Sequence, residues 1–129
     1  MNWISIIVAA VVANAIGYLW YSPFAFGKSW STLSGRTMGT GAAMGPSLGL
    51  TVVGSLIEAI AMSWFVSQTR VTSGASGALV GLFIGLGFIA PAMFADAIYT
   101  GRHPRLAAIV GGYQIVVAIV MGAIIGYWP

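Results

Sequence analysis

Most of the chain is made of apolar stretches that are long enough to cross a lipid bilayer. A hydrocarbon core about 30 Å thick needs roughly 20 residues at the rise of an α-helix. Four stretches meet that length: Trp3–Tyr21, Pro46–Val66, Ala75–Tyr99 and Arg105–Trp128. With 59% hydrophobic and 5% charged residues, the chain lacks the polar surface that a soluble domain requires. The sequence therefore predicts an all-α fold: an integral membrane bundle of four transmembrane helices, forming a single domain over residues 1–129.

The cations lie between the apolar stretches and are unevenly shared by the two sides of the bilayer. Loops one and three must lie on the same side, and together they hold four cations, whereas loop two carries Arg70 alone. The four are Lys28, Arg36, Arg102 and Arg105. Because loops rich in Lys and Arg stay in the cytoplasm, we expect loops one and three inside and both termini outside.

The first loop begins with an aromatic and basic run, WYSPFAFGKSW, at residues 20–30. Pro23 is expected to end the first helix. Aromatic rings with one polar end favour the headgroup region, and a Lys can reach lipid phosphate. We therefore predict an interfacial segment made by Trp20, Tyr21, Lys28 and Trp30, with an inner gate or a partner-docking surface as the alternative. The following Ser31–Gly45 is rich in Ser, Thr and Gly and is interpreted as a flexible connection.

Every predicted helix carries small residues at four-residue spacing, which allow helix backbones to approach closely in lipid. These stripes are Ala9, Ala13 and Gly17; Ser55, Ala59, Ser63 and Ser67; Gly77, Gly81 and Gly85; and Gly122 and Gly126. The close contacts could form within one chain or between subunits. Because four short helices have few interior positions while each helix has a stripe, we expect a homo-oligomer, or packing against other membrane subunits.

Pro91 is the one proline well inside an apolar stretch. It removes an amide donor and crowds the carbonyl group of Gly87. We therefore expect a bend in the third helix.

Polar residues inside the predicted helices are the first candidates for function, because hydrocarbon does not solvate them. At the helical rise, Asp96 lies roughly 5 Å from the cytoplasmic helix ends, Asn14 about 10 Å, Gln114 about 13 Å and Glu58 about 18 Å. If all of them faced the bundle axis, they would form a path suited to relaying protons or small cations. The alternative is structural: Asn14 and Gln114 bond neighbouring helices, and Asp96 pairs with a nearby cation such as Arg102 or Lys28.

Glu58 differs from the other polar residues because it lies too deep for any evident cation of its own chain. Burial in hydrocarbon favours the neutral form of an isolated carboxyl group. Two interpretations stay open. The carboxyl group is protonated and hydrogen-bonded, for example to Asn14 or Tyr113, or it faces water or a partner.

The sequence gives little support to an enzymatic or cofactor-binding role. An intramembrane hydrolase needs a nucleophile with a base, or two acids at one depth, but Glu58 and Asp96 differ by about 13 Å in depth at the helical rise. The chain has no Cys, and its one His, His103, lies in loop three. We therefore expect no catalytic site, no metal site and no cofactor. No basic stripe follows a nucleic-acid backbone, so the expected partners are the lipid bilayer and other membrane subunits.

Three segments carry a family resemblance: the run at residues 20–30, Gly101-Arg102 before the fourth helix, and the ending GYQIVVAIVMGAIIGYW at residues 112–128. Together they resemble the family called Domain of Unknown Function seventeen sixty-one, which consists of small bacterial membrane proteins. The resemblance covers nearly the whole chain and implies four transmembrane helices in a bacterial cytoplasmic membrane. It implies no activity.

Two functional hypotheses follow from these observations. The first is a non-catalytic accessory or scaffold component that packs with other membrane subunits. The second is an oligomeric small-ion channel or proton-linked transporter that uses Glu58. The small size favours the first hypothesis, and the intramembrane Glu58 favours the second.

Overall fold

The computed structural model of the chain describes residues 2–22, 25–34 and 45–129. All of the regular elements in these ranges are helical. They are α1 (Trp3–Trp20), α2 (Gly27–Ser34), α3 (Gly45–Gln68), α4 (Gly74–Ile84), a π-helical turn (Gly85–Ile89), α5 (Ala90–Thr100) and α6 (Pro104–Tyr127).

Four helical segments are long and apolar enough to cross a membrane. They are α1, residues Gly49–Gln68 of α3, the continuous run Gly74–Thr100 formed by α4, the π turn and α5, and α6. The ends of the helices that contain these spans differ from the predicted ones by no more than two residues. The predicted all-α bundle of four transmembrane helices is confirmed, and the chain is a multi-pass membrane protein.

The two ends of the bundle carry different parts of the chain. The side-chain oxygen of Asn2 caps α1 by accepting from the amide of Ile4 at 3.0 Å, and its Nδ2 donates to the carbonyl oxygen of Trp128 at 3.4 Å. The start of α1 and the end of α6 are thus adjacent. At the same end, the carbonyl oxygen of Ser73 lies against Gly126, which places the α3–α4 loop there. Helix α2 and the α5–α6 loop lie at the opposite end.

The closest helix contact is an antiparallel glycine seam between α4 and α6, formed by Gly77, Gly81, Gly122 and Gly126. A Cβ atom built on Gly77 would meet the carbonyl oxygen of Gly122, and one built on Gly81 would meet that of Ala118. On the α6 side of the seam, a Cβ atom built on Gly126 would lie 2.8 Å from the Cα of Gly77. Backbone therefore touches backbone, which no larger residue permits.

The stripes of small residues on α1 and α3 also face the interior. The buried apolar core includes Ile6, Ala9, Ala13, Ala59, Val66, Val117, Met121 and Ile125. Helix α6 lies at the centre and contacts every other described helix. The stripes are thus largely used within one chain, which is the alternative left open above, and they no longer favour a second subunit. A homo-oligomer stays a prediction without that support.

A wider turn of helix precedes Pro91, where a bend is expected. Residues Gly85–Ile89 are π-helical, and the amide of Ala90 donates to the carbonyl oxygen of Gly85, five residues back instead of four. Pro91 then lies in the first turn of α5. Because proline has no amide hydrogen, a regular α-helix would leave a carbonyl oxygen without its donor at this point. The third span therefore changes its hydrogen-bonding pattern just before the proline.

Helix α2 was not predicted from the sequence, which was interpreted there as an interfacial segment followed by a flexible connection. For residues 31–34 the flexible connection was wrong, because they continue the helix. Gly27 makes the preceding turn possible: a Cβ there would collide with the carbonyl oxygens of Tyr21 and Ser22. The amide of Trp30 then donates to the carbonyl oxygen of Phe26 at 2.8 Å. Residues 35–44 of the predicted connection, including Arg36, and Pro23 lie outside the described residues.

Candidate functional site

Four polar side chains from three helices lie near one another in the membrane-spanning part of the bundle, and one of them, Glu58, is exposed on its outside. This polar cluster consists of Asn14 on α1, Ser55 and Glu58 on α3, and Tyr113 on α6. Glu58 lies about 20 Å from the start of α3 and about 15 Å from its end at the helical rise, close to mid-membrane.

Asn14 and Ser55 join α1 to α3. The Nδ2 of Asn14 donates to the Oγ of Ser55 at 2.8 Å and to the carbonyl oxygen of Ala10 at 2.8 Å. The Ser55 hydroxyl donates in turn to the carbonyl oxygen of Val52 at 2.9 Å. Both hydrogens of the Asn14 amide and the hydroxyl proton of Ser55 are therefore used within the chain. This geometry agrees with the structural interpretation of Asn14, in which its side chain bonds a neighbouring helix.

Tyr113 joins α6 to α1. Its hydroxyl donates to the carbonyl oxygen of Ala13 at 3.1 Å. The absence of a side chain at Gly17 makes room for it, since a Cβ there would lie 2.8 Å from the Tyr113 oxygen. The ring of Tyr113 packs edge-on against Tyr21, with the ring centroids 5.4 Å apart.

Glu58 lies beside this network without being bonded into it. Its side chain makes no hydrogen bond to the described residues, and the two expected donors, Asn14 and Tyr113, donate to other acceptors. Neither residue named as an example in the hydrogen-bonded interpretation therefore donates to the carboxyl group. The carboxyl group is within electrostatic range of the Tyr113 hydroxyl. It borders the buried stripe of α3 but is exposed on the outside of the bundle.

Asp96 and Gln114 do not join the cluster. Asp96, near the end of α5, pairs with Arg102 at 3.6 Å, and both side chains are about half exposed. This is the structural alternative for Asp96. Gln114 is half-buried and makes no hydrogen bond to the described residues. The predicted path through all four polar groups is thus not assembled within this chain. Asn14 bonds Ser55 inside the bundle, whereas the side chains of Glu58 and Asp96 are exposed on its outside.

The predicted interfacial segment packs onto the bundle. The Nε1 of Trp20 donates to the carbonyl oxygen of Ile109 at 3.0 Å, and its ring contacts Phe26 and Tyr113. Tyr21 packs edge-on against Trp30. The indole hydrogen of Trp20 is thus already bonded within the chain, and an interfacial position for these residues stays a prediction. Of the four predicted residues, Lys28 is exposed and the other three are half-buried.

Burial raises the pKa of Tyr21 to about 12, and the nearby Tyr113 adds to this shift. At neutral pH the Tyr21 hydroxyl is therefore protonated, and its ring packs against Trp30 and Tyr113. His103 also has a local structural role. Its Nδ1 accepts from the amide of Arg105 at 3.1 Å and caps the start of α6.

Sequence reasoning missed Ser55 as a partner of Asn14. The available signal was its position three residues before Glu58, on the same side of α3. Ser55 was noted only as one of the small residues that favour close packing.

Comparison with known proteins gives one finding. The family described as "Protein of unknown function (DUF1761)" matches residues 4–126, nearly the whole chain. The chain belongs to this family. No curated protein and no solved structure matches it significantly. Membership in the family agrees with the resemblance found in the sequence and carries no assigned activity.

Proposed function

We propose that this protein is a non-catalytic accessory or scaffold component of a bacterial membrane, and that it packs against another membrane subunit through the face of α3 that carries Glu58. The observation behind this proposal is the position of Glu58. It is an exposed carboxyl group near mid-membrane, with no hydrogen bond to the described residues.

Placing an acid at that depth in the membrane costs free energy, and a hydrogen-bonding partner would offset this cost. Placing an acid at the centre of a transmembrane helix costs about 3 kcal/mol on insertion scales, and such residues normally face a bundle interior, a partner or a wet cavity. The interior of this chain is already occupied near α3 by Ala59, Met62 and Val66. A donor on a neighbouring subunit would satisfy the carboxyl group and fix the register of the contact.

Cysteine cross-linking tests the proposed face directly, because the chain has no Cys of its own. Gly54→Cys and Ala61→Cys place single thiols about one turn before and after Glu58, and both positions are exposed. Phe83→Cys, on the exposed side of α4, is the matched control. We expect a photo-activated cross-linker attached to the thiol, which needs no thiol on the partner, to join the two α3 variants to a neighbouring subunit in native membranes and not the control. The mass of the product tells a second copy from a different subunit.

The same assay reports on Glu58 itself. Glu58→Gln keeps the shape and a hydrogen-bonding amide, so cross-linking at Ala61→Cys should persist. Glu58→Leu removes the polar group and should weaken it. Equal cross-linking at Phe83→Cys, or none at either α3 position, would contradict the proposed interface.

Transport is the second candidate, favoured by the proximity of Glu58 to the hydroxyl of Tyr113. Purified protein in liposomes, under an imposed pH gradient and voltage, should show no proton or alkali-cation flux if the accessory role is correct. Flux through the wild-type protein that is lost in Glu58→Gln would favour the transporter instead.

The membrane orientation is part of the proposal. Lys28, Arg102 and Arg105 lie at the end of the bundle opposite the termini, which supports a cytoplasmic position for that end. We expect both termini outside in a bacterial cytoplasmic membrane. A reporter that becomes active only after export should be active when it is fused to the C-terminus. Activity of a reporter that works only in the cytoplasm would overturn this orientation.

A further inference from the structure

A shallow cleft lies between α2 and the start of α6, away from the polar cluster. It has a volume of about 220 Å³ and is lined by Lys28, Ser29, Thr32, Leu33 and Arg105. Two cations and two hydroxyl groups thus face one small space. The cleft lies at a helix end, where the bundle meets the headgroup region.

The charges in this cleft are not balanced by the protein. The chain has two acids. Asp96 pairs with Arg102, which does not line the cleft, and Glu58 lies near the middle of α3. Lys28 and Arg105 therefore face the cleft with no carboxylate of their own chain to neutralise them.

The positions of the two cations add to this imbalance. Lys28 is the second residue of α2, and Arg105 is the second residue of α6. The start of a helix carries the positive end of its dipole, so a cation in the first turn is unfavourable and an anion there is favourable. Neither helix has an acidic residue in its first turn.

One of the two hydroxyl groups adds a free donor for an oxyanion. Thr32 lines the cleft, but its hydroxyl proton is already donated to the carbonyl oxygen of Lys28 at 2.9 Å. Ser29 makes no hydrogen bond to the described residues and can donate outward. Arg and Lys side chains with a hydroxyl donor are the groups that bind phosphate in proteins.

We propose that the Lys28–Arg105 cleft binds one phosphate group, and that an anionic lipid headgroup supplies it. The cleft's place at the membrane surface sets the source, because lipid phosphates are concentrated there. Phosphatidylglycerol carries a net negative charge that the two cations neutralise. Phosphatidylcholine carries a phosphate whose charge is already compensated by its own ammonium group.

Native mass spectrometry of the full-length protein in detergent tests the site. We expect wild type to retain one phosphatidylglycerol molecule in preference to phosphatidylcholine. Lys28→Gln and Arg105→Gln should each weaken this binding about fivefold, and the double variant about 25-fold, from roughly 1 kcal/mol per cation near a lipid surface. Lys28→Arg keeps the charge and should bind nearly as well as wild type.

The control variants separate a built site from general surface charge. Arg102→Gln removes a cation at the same end of the bundle but outside the cleft, and Arg70→Gln removes one at the other end. Both should change binding less than twofold. Losses as large as those at Lys28 and Arg105 would overturn the proposal.

Competition identifies the source of the phosphate. Inorganic phosphate at millimolar concentration should not displace phosphatidylglycerol, because it lacks the acyl chains that hold the headgroup at the bundle. Displacement by inorganic phosphate would overturn the assignment to lipid. Unchanged thermal unfolding of each variant without added lipid should accompany the loss of binding, since both cations are exposed.

Discussion

The glycine seam and the polar cluster join neighbouring helices in opposite ways. In the seam, α4 meets α6 through positions that have no side chain, and the atoms in contact are backbone carbonyl oxygens and α-carbons. In the cluster, Asn14 and Tyr113 bridge the helices with hydrogen bonds of 2.8 and 3.1 Å. The third span, held chiefly by the seam, has 11% of its apolar window buried, and the fourth has 39%.

The difference shows how strongly each contact depends on its residues. A backbone contact leaves no space for an added atom, so a substitution there must separate the helices. A side-chain hydrogen bond inside a membrane protein contributes only about 0.6 kcal/mol on average, because the separated helices find other partners. We therefore expect the seam to be intolerant of change and the cluster to be tolerant of it.

The largest effect should come from enlarging the seam. Gly81→Leu places a side chain against the carbonyl oxygen of Ala118 and should destabilise the bundle by about 3 kcal/mol, at the upper end for overpacking. Gly49→Leu is the matched control, since a Cβ at Gly49 meets nothing within 4 Å. Unfolding in mixed detergent measures both variants. Equal stability of the two would remove the distinction between seam and surface.

A smaller effect is expected in the cluster. Asn14→Ala and Ser55→Ala, measured alone and together, should show a coupling free energy of about 0.6 kcal/mol in the unfolding equilibrium. Ser67→Ala should couple to neither, because its hydroxyl donates to Trp64 of its own helix and is exposed. A coupling free energy as large as the effect at Gly81 would show that the cluster tolerates substitution no better than the seam does.

The smallest effect should be at the ion pair of Asp96 and Arg102. Both side chains are about half exposed at a helix end, where such pairs contribute about 0.5 kcal/mol or less. Asp96→Asn should leave the free energy of unfolding nearly unchanged, at low and at high salt. A loss above about 1 kcal/mol would place Asp96 among the structural contacts of the bundle.

Properties that depend on length and mean hydropathy could be predicted from the sequence, and contacts between distant residues could not. The four spans followed from their apolar length alone. The four-residue spacing indicated which face of α4 packs closely, but it did not indicate whether α6 or another chain covers that face. Helix α2 was missed because eight residues have little helical preference of their own. Its position depends on Tyr21 and Trp30 meeting across a turn.

The π turn also decides which side of the third span carries an acid. In an uninterrupted α-helix, Asp96 would follow Gly85 by eleven residues, about three full turns, and would share the azimuth of the seam. The π turn takes in one extra residue, which resets the helical phase by about 100°. Ala97 then occupies the buried position facing the bundle, and Asp96 turns outward to Arg102. A single-residue deletion within Gly85–Ile89 should restore a regular α-helix while leaving Ala97 at the buried azimuth and Asp96 beside Arg102.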